Sequence, residues 1–255
     1  MKRKLLAAGF VIAGILAFAG TCTVQHINLT TIGSQKIFAG EVHNDSGADF
    51  LQHRVRVAFF DSNNNLLDEK VVTPCLRSLP NGEADFFSAA SSSSSGSVKA
   101  AIARLEYGTT LKGGTPDIGS GTITNITVTR DGTSLRVQGT LKNTDSTKLE
   151  APNVCAVVYD STDDVVLVGL DESLSDLIQN GTDTFDITLT VVDSTSTTDH
   201  VDIWADGMHG NTPVEAISST GRDVTLATAT PTPTITKTPT VTVTPTKTPT
   251  ATPTP

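Results

Sequence analysis

Gly40-Glu41-Val42-His43-Asn44, followed by Val55 and by Phe60-Asp61-Ser62, returns as Gly139-Thr140-Leu141-Lys142-Asn143, Val154 and Tyr159-Asp160-Ser161, each residue 99 positions on. The same spacing joins Ile27 to Ile126, Gly33 to Gly132, Asn81-Gly82 to Asn180-Gly181 and Phe86 to Phe185. A fixed period of this length marks an internal duplication, so the 255-residue chain is expected to fold as two similar units. The kept positions are glycines, turn residues and apolar residues, whereas Glu41 becomes Thr140 and His43 becomes Lys142. What repeats is a fold and not a set of reactive side chains.

Each copy reads as short strands. Ile126 and Val128 alternate with polar residues, Asp131-Gly132 is a strong hairpin signal, and Leu135, Val137, Gly139 and Leu141 resume the alternation. The run from Val154 to Tyr159 is apolar on both faces, as is Val55 to Phe60, which marks a central strand. Phe185, Ile187, Leu189 and Val191 alternate strictly and read as a half-buried strand, while their partners fade into the serine run 91–95, read as a frayed end. Val201 to Trp204, like Ile102 to Tyr107, closes the unit. About seven strands per unit imply an all-β chain of two tandem immunoglobulin-like β-sandwich domains.

Around these units the composition changes. Lys2-Arg3-Lys4, the apolar run Leu5 to Leu16 and Ala17-Phe18-Ala19 form a secretory signal peptide over 1–19. The expected order is then a first repeat over 20–110, a linker over 111–121, a second repeat over 122–210 and a linker over 211–227. A Thr/Pro-rich tail over 228–255, disordered and extended like polyproline, completes the chain. Cys22, just after the cleavage site, is a candidate lipid anchor, although Thr21 before it departs from a lipoprotein signal. Three cysteines leave one unpaired at least; Cys75 and Cys155 lie in different repeats, and both a bridge between repeats and two unpaired thiols remain open. The net charge of -9, concentrated in the second repeat, argues against nucleic acid as a partner.

Both repeats resemble the FxLYD domain, a secreted and envelope module of bacteria. The resemblance lies in Tyr159-Asp160 after Val158, in the Gly-x-apolar-x-Asn stretches at Gly40 and Gly139, and in the glycine turns before Phe86 and Phe185. The leading Phe of the motif is Val57 or Ala156 here, and its Tyr is Phe60 in the first repeat. The resemblance implies a non-catalytic β-sandwich and carries over no functional residue.

Reactive constellations are sparse. No Gly-x-Ser-x-Gly nucleophile elbow and no His-x-x-x-His pair occurs, and His26, His43, His53, His200 and His209 share no spacing, which reads as surface histidines. Asp45-Ser46-Gly47 imitates an aspartic-protease loop without a second copy and reads as a turn. Asp160, Asp163 and Asp164, with Asp171 and Glu172 downstream, are the candidate calcium ligands, since calcium takes several carboxylate oxygens from a flexible loop. Trp204, the single tryptophan, is the candidate ligand-binding residue for a sugar ring, but its alignment with Leu105 favours packing. No catalytic or cofactor-binding residue is expected. The sequence therefore predicts a non-enzymatic secreted or cell-envelope protein that binds a protein or cell-surface component or acts as a spacer. A carbohydrate- or calcium-dependent adhesion module is the alternative.

Overall fold

The computed structural model describes residues 21–106, 109–110, 117, 119–191, 198–214, 217–223 and 225–226. The expected signal peptide and Thr/Pro tail lie outside them. Among the described residues every regular element is a strand. The first repeat holds β1 (Thr21–Ile32), β2 (Gln35–Asp45), β3 (Phe50–Leu51), β4 (Arg54–Phe60), β5 (Leu66–Val72), β6 (Ser78–Leu79), β7 (Ala84–Ala90), β8 (Ala100–Glu106) and β9 (Thr109–Thr110). The second holds β10 (Gly121–Asp131), β11 (Ser134–Asn143), β12 (Glu150–Tyr159), β13 (Val165–Asp171), β14 (Thr182–Thr190), β15 (His200–His209), β16 (Thr212–Pro213), β17 (Ile217–Asp223) and β18 (Thr225–Leu226).

Each repeat is a sandwich. Sheet β1-β2-β7 faces sheet β5-β4-β8 across a core that includes Phe38, Val42, Val55, Val57, Phe59 and Phe87. In the second repeat β14-β11-β10 faces β13-β12-β15 across Leu135, Val137, Leu141, Val154, Phe185 and Ile203. Inward side chains come from alternate positions of each strand, because successive Cβ atoms point to opposite faces. The small sheet β6-β3-β9 completes the first repeat.

The repeated stretch is explained by packing. Asn44 is fully buried, and its amide donates to the carbonyls of Ala48 (2.8 Å) and Leu79 (2.9 Å) while its oxygen accepts from Ser46 N (3.0 Å). Asn143 makes the same three bonds, to Thr147 and Leu177 at 2.8 and 2.9 Å and from Asp145 N at 2.9 Å. A buried polar side chain must find such partners, and this one ties the end of β2 or β11 to two loops. Gly40 and Gly139 leave room for a neighbour: a Cβ on Gly139 would stand 2.5 Å from the Phe185 ring, and one on Gly40 would stand 2.7 Å from Ile27. His26 and Asn125 carry positive φ at a bulge in β1 and β10, and Asn64 and Asp163 do so in the following loops.

The spacing is not constant along the repeat. Gly40 stands opposite Phe87, and Gly139 opposite Phe185, so Phe87 rather than Phe86 is the counterpart of Phe185. In the last strand Arg56 faces Arg104 while Cys155 faces Trp204, so Trp204 corresponds to Arg104 and not to Leu105. Five residues lie between Asp171 and Leu177 against six between their counterparts Val72 and Leu79, and 18 lie between Phe185 and Trp204 against 16 between Phe87 and Arg104. Loops absorb such changes without disturbing the strands they join. The serine run also differs from a frayed end. Ser91 is buried and donates its backbone N–H to Lys36 O (2.8 Å), and Ser92 N donates to the Asp68 carboxylate (2.6 Å).

The two sandwiches are stacked. The outer face of β2 and β7 lies on the outer face of β12, β13 and β15, in a cluster of Ala39, Cys75, Leu76, Phe86, Cys155, Val157, Tyr159 and Val165. Phe86 meets Trp204 with ring centroids 5.4 Å apart and Tyr159 edge-on at 6.3 Å. Cys75 and Cys155 form a disulfide across the joint, with Cα atoms 5.8 Å apart. This accounts for the two apolar faces of β12: Val154, Ala156 and Val158 fill their own core, and Cys155, Val157 and Tyr159 fill the joint. Residues 217–223 and 225–226, expected as linker, instead add β17 to the edge of β15 and β18 to the edge of β10.

Candidate functional site

Asp160 opens the loop between β12 and β13, and its carboxylate is consumed there. One oxygen accepts from Thr162 N (2.9 Å), Thr162 Oγ1 (2.7 Å) and Asp164 N (3.2 Å), the pattern of an Asx turn. The other accepts from the Asn28 amide of the first repeat at 3.1 Å. Asp61 does the same in its own loop, accepting from Asn63 N and Asn65 N at 2.7 and 2.9 Å. Asp163 occupies the left-handed position of the turn, with φ of 62°, and Asp164 contacts Thr162 Oγ1 at 3.4 Å. Asp171 is engaged elsewhere, accepting from Ser173 N and from Asp186 N. Among the described residues no group of three or more His, Cys, Asp or Glu side chains converges on a point that could hold a metal ion.

Trp204 projects from β15 into the joint, where its ring lies against Phe86, and its Nε1 is buried without a hydrogen-bond partner. The ring is half-buried, so its stacking surface is used inside the protein. Cys22 is half-buried in β1 with its thiol 3.5 Å from Asn44 Oδ1, and burial beside Asp45 pushes its pKa up to about 11.

The strongest concentration of buried polar groups was not foreseen. It lies where the first repeat's 75–77 segment meets β12 and β15. Asp206, 1% exposed, accepts from Arg77 N at 2.6 Å and from Arg77 Nη1 at 3.1 Å. Burial pushes its pKa up to about 7, against the opposing pull of Arg77. Asn153, opposite Asp206 in the β12–β15 pairing, donates to Cys75 O at 2.8 Å. Asp85 accepts from Leu76 N and Phe86 N at 3.0 and 2.7 Å, and burial raises its pKa although the neighbouring His53 works the other way. His53, read as a surface residue, has a side chain sealed from solvent, with Nε2 2.7 Å from the Asp85 carboxylate. Its Nδ1 has no hydrogen-bond partner.

A His–Asp pair can support nucleophilic catalysis only where a nucleophile and substrate reach it. Both side chains here are fully buried. What the cluster can do is fix geometry: Asp206, Asp85 and Asn153 hold the 75–77 segment between the sandwiches while the disulfide clamps it. The sequence signal for this was weak: Arg77 and Asn153 do not recur at equivalent positions, whereas Asp85 recurs as Asp183, which likewise accepts from Ser175 N and Thr184 N.

No protein-family model and no curated protein matches the chain. Solved structures that it resembles include an exo-chitosanase of Amycolatopsis orientalis, at 12% identity and a TM-score of 0.30, covering 72% of this chain and 25% of that one. Red sea bream transglutaminase follows at 11% identity and 0.23, covering 83% and 31%. A β-glucuronidase from Ruminococcus gnavus stands at 10% and 0.24, covering 73% and 35%. The chain spans about a quarter to a third of the length of these enzymes, and likenesses this distant carry no functional argument. No helix among the described residues is long and apolar enough to cross a membrane.

Proposed function

We propose that this is a non-enzymatic, extracytoplasmic protein whose two sandwiches act as one rigid block, serving as a binding module or spacer at the cell envelope. The observation that carries this is the joint, in which a disulfide, a shared apolar layer and buried hydrogen bonds fix one repeat on the other. A joint of this kind sets a distance and an orientation, which is what a spacer or display module requires. The disulfide supports an oxidising compartment, because cytosolic thiols are kept reduced. The signal-like N-terminus and the likeness to FxLYD domains point the same way.

Fractionation of the source cells, with mass measurement of the purified protein under non-reducing conditions, tests the address. The expected product starts at Gly20, carries one disulfide and sits in the envelope or medium. A full-length chain with three free thiols in the cytosol would overturn the proposal. Small-angle scattering of the same protein should fit a single arrangement of the two sandwiches; a broad distribution of separations would remove the spacer role.

A further inference from the structure

The Cys75–Cys155 disulfide lies inside the joint. Its two residues are 1% and 0% exposed, in the layer that includes Ala39, Leu76, Phe86, Val157 and Tyr159. A reductant must bring its attacking atom onto a sulfur, so reduction depends on access. The docked sandwiches leave none.

The polar contacts that hold the joint flank this bond. In the β12–β15 pairing Cys155 faces Trp204, and two residues back Asn153 faces Asp206. Both of the latter reach the 75–77 segment of the first repeat. Asn153 donates to Cys75 O at 2.8 Å, and Asp206 accepts from Arg77 N at 2.6 Å and from Arg77 Nη1 at 3.1 Å. The charged groups facing Asp206 are Arg77 and, on β7, Asp85 with His53 beside it, while β12 presents the neutral Asn153.

Asn153 Oδ1 is buried without a hydrogen-bond partner among the described residues. A proton on Asp206 supplies a donor beside that oxygen and leaves the contacts from Arg77 in place. Without the proton, a carboxylate charge is sealed in the joint near Asp85 and balanced by an Arg77 side chain that is itself 28% exposed. Burial accordingly pushes the Asp206 pKa up to about 7, against 3.8 for the free side chain. The docked state therefore binds the proton more tightly than the undocked state, and docking weakens as pH rises from about 4 to about 7.

We infer that the joint is a pH-gated latch on its own disulfide: docked, it shelters the bond from dithiol reductants, and it opens more often as Asp206 loses its proton. The inference rests on the rigid block proposed above and adds the condition under which that block comes apart. Once the joint is open, a thiolate of the dithiol attacks one sulfur and the S–S bond breaks. The second thiol of the reductant then displaces the protein sulfur. Two electrons and two protons pass to Cys75 and Cys155, and the dithiol leaves as a cyclic disulfide.

Reduction of the mature chain from Gly20 to Pro255 by tris(2-carboxyethyl)phosphine, which acts at acid as well as neutral pH, tests this. The phosphorus attacks a sulfur, and water supplies the oxygen of the phosphine oxide and the protons of the two thiols. Alkylation in urea followed by mass measurement counts one thiol before reduction and three after. The rate is divided by that of the urea-unfolded chain at the same pH, which cancels the reagent's own pH dependence. At pH 5 the native chain should react at least about a hundredfold more slowly than the unfolded one. The ratio should rise about tenfold between pH 5 and pH 8 in wild type and stay level in Asp206→Asn. Native reduction as fast as that of the unfolded chain would overturn the inference, as would an equal rise in the variant. A slow ratio that does not change with pH in wild type would overturn the latch and leave the rigid block standing. So would a ratio equal to the global unfolding constant from urea titration at each pH, since the bond would then be reached only through complete unfolding.

Discussion

The outer face of β5-β4-β8 and the outer face of β13-β12-β15 are the same surface of the same fold, built to opposite ends. On the first, Arg56, Ala58, Phe60 and Arg104 meet solvent, with Arg56 held between Glu69 and Glu106. On the second the matching positions are Cys155, Val157, Tyr159 and Trp204, and the first repeat covers them. The inward residues hardly differ in kind: Val55, Val57 and Phe59 answer Val154, Ala156 and Val158. A duplicated sequence thus keeps the face that makes each sandwich and changes the face that decides what the sandwich stacks on.

Substitutions at matched positions can break this contrast. The largest gap is expected between Val157→Asp and Ala58→Asp. The first buries a charge at a site of 0% exposure and should lower the urea-derived stability by about 4 kcal/mol, and the second, on the open face, by less than about 1 kcal/mol. Equal losses would mean that the two faces are not differently covered. Cys155→Ala should cost about 4 kcal/mol, since the bridge closes a loop of 80 residues, and Arg56→Ala less than about 1 kcal/mol because its ion pairs are exposed. Trp204→Ala should cost about 3 kcal/mol through loss of the Phe86 contact, with Arg104→Ala nearly neutral in the same urea titrations. Gly40→Ala and Gly139→Ala should instead cost alike, about 2 kcal/mol, because both stand against inward packing.

The smallest effect concerns pH and belongs to the joint. Asp206 has its pKa pushed up to about 7 in the folded protein against 3.8 for the free side chain. The folded state therefore holds the proton more tightly. The stability this group contributes is full below about pH 4 and is lost as pH rises to about 7. Asp206→Asn mimics the protonated form. Relative to wild type it should be more stable at pH 8 than at pH 5, by about 1 kcal/mol or more, in parallel urea titrations. A constant difference across that range would mean that Asp206 is not perturbed as its burial requires.

Much of the fold was legible because local rules wrote it. The hairpin at Asp131-Gly132, the Asn that ends each strand and the two-faced strand at Val154 to Tyr159 depend on near neighbours and on a period of two. Register was less legible: a fixed offset of 99 paired Phe86 with Phe185 and Trp204 with Leu105, since loop insertions move strands without leaving a local mark. The site candidates fared by the same logic. Asp160 could be recognised as a loop acid, but its use as a turn cap that also reaches Asn28 depends on a contact across 132 residues. His53 looked like any polar residue near a strand start, and only the folded chain places it against Asp85.

By itself the amino-acid order determined that there are two copies, that each is a stack of short strands, and which residues face inward, because alternation and turn chemistry act over a few residues. Only the tertiary structure decided that the copies stack face to face, that Cys75 pairs with Cys155, that the outward face of β12 is a second core, and that the chain beyond 210 finishes one sandwich. These are contacts between segments distant in sequence, selected by the burial of whole faces, and no single segment carries the information that its surface will be covered.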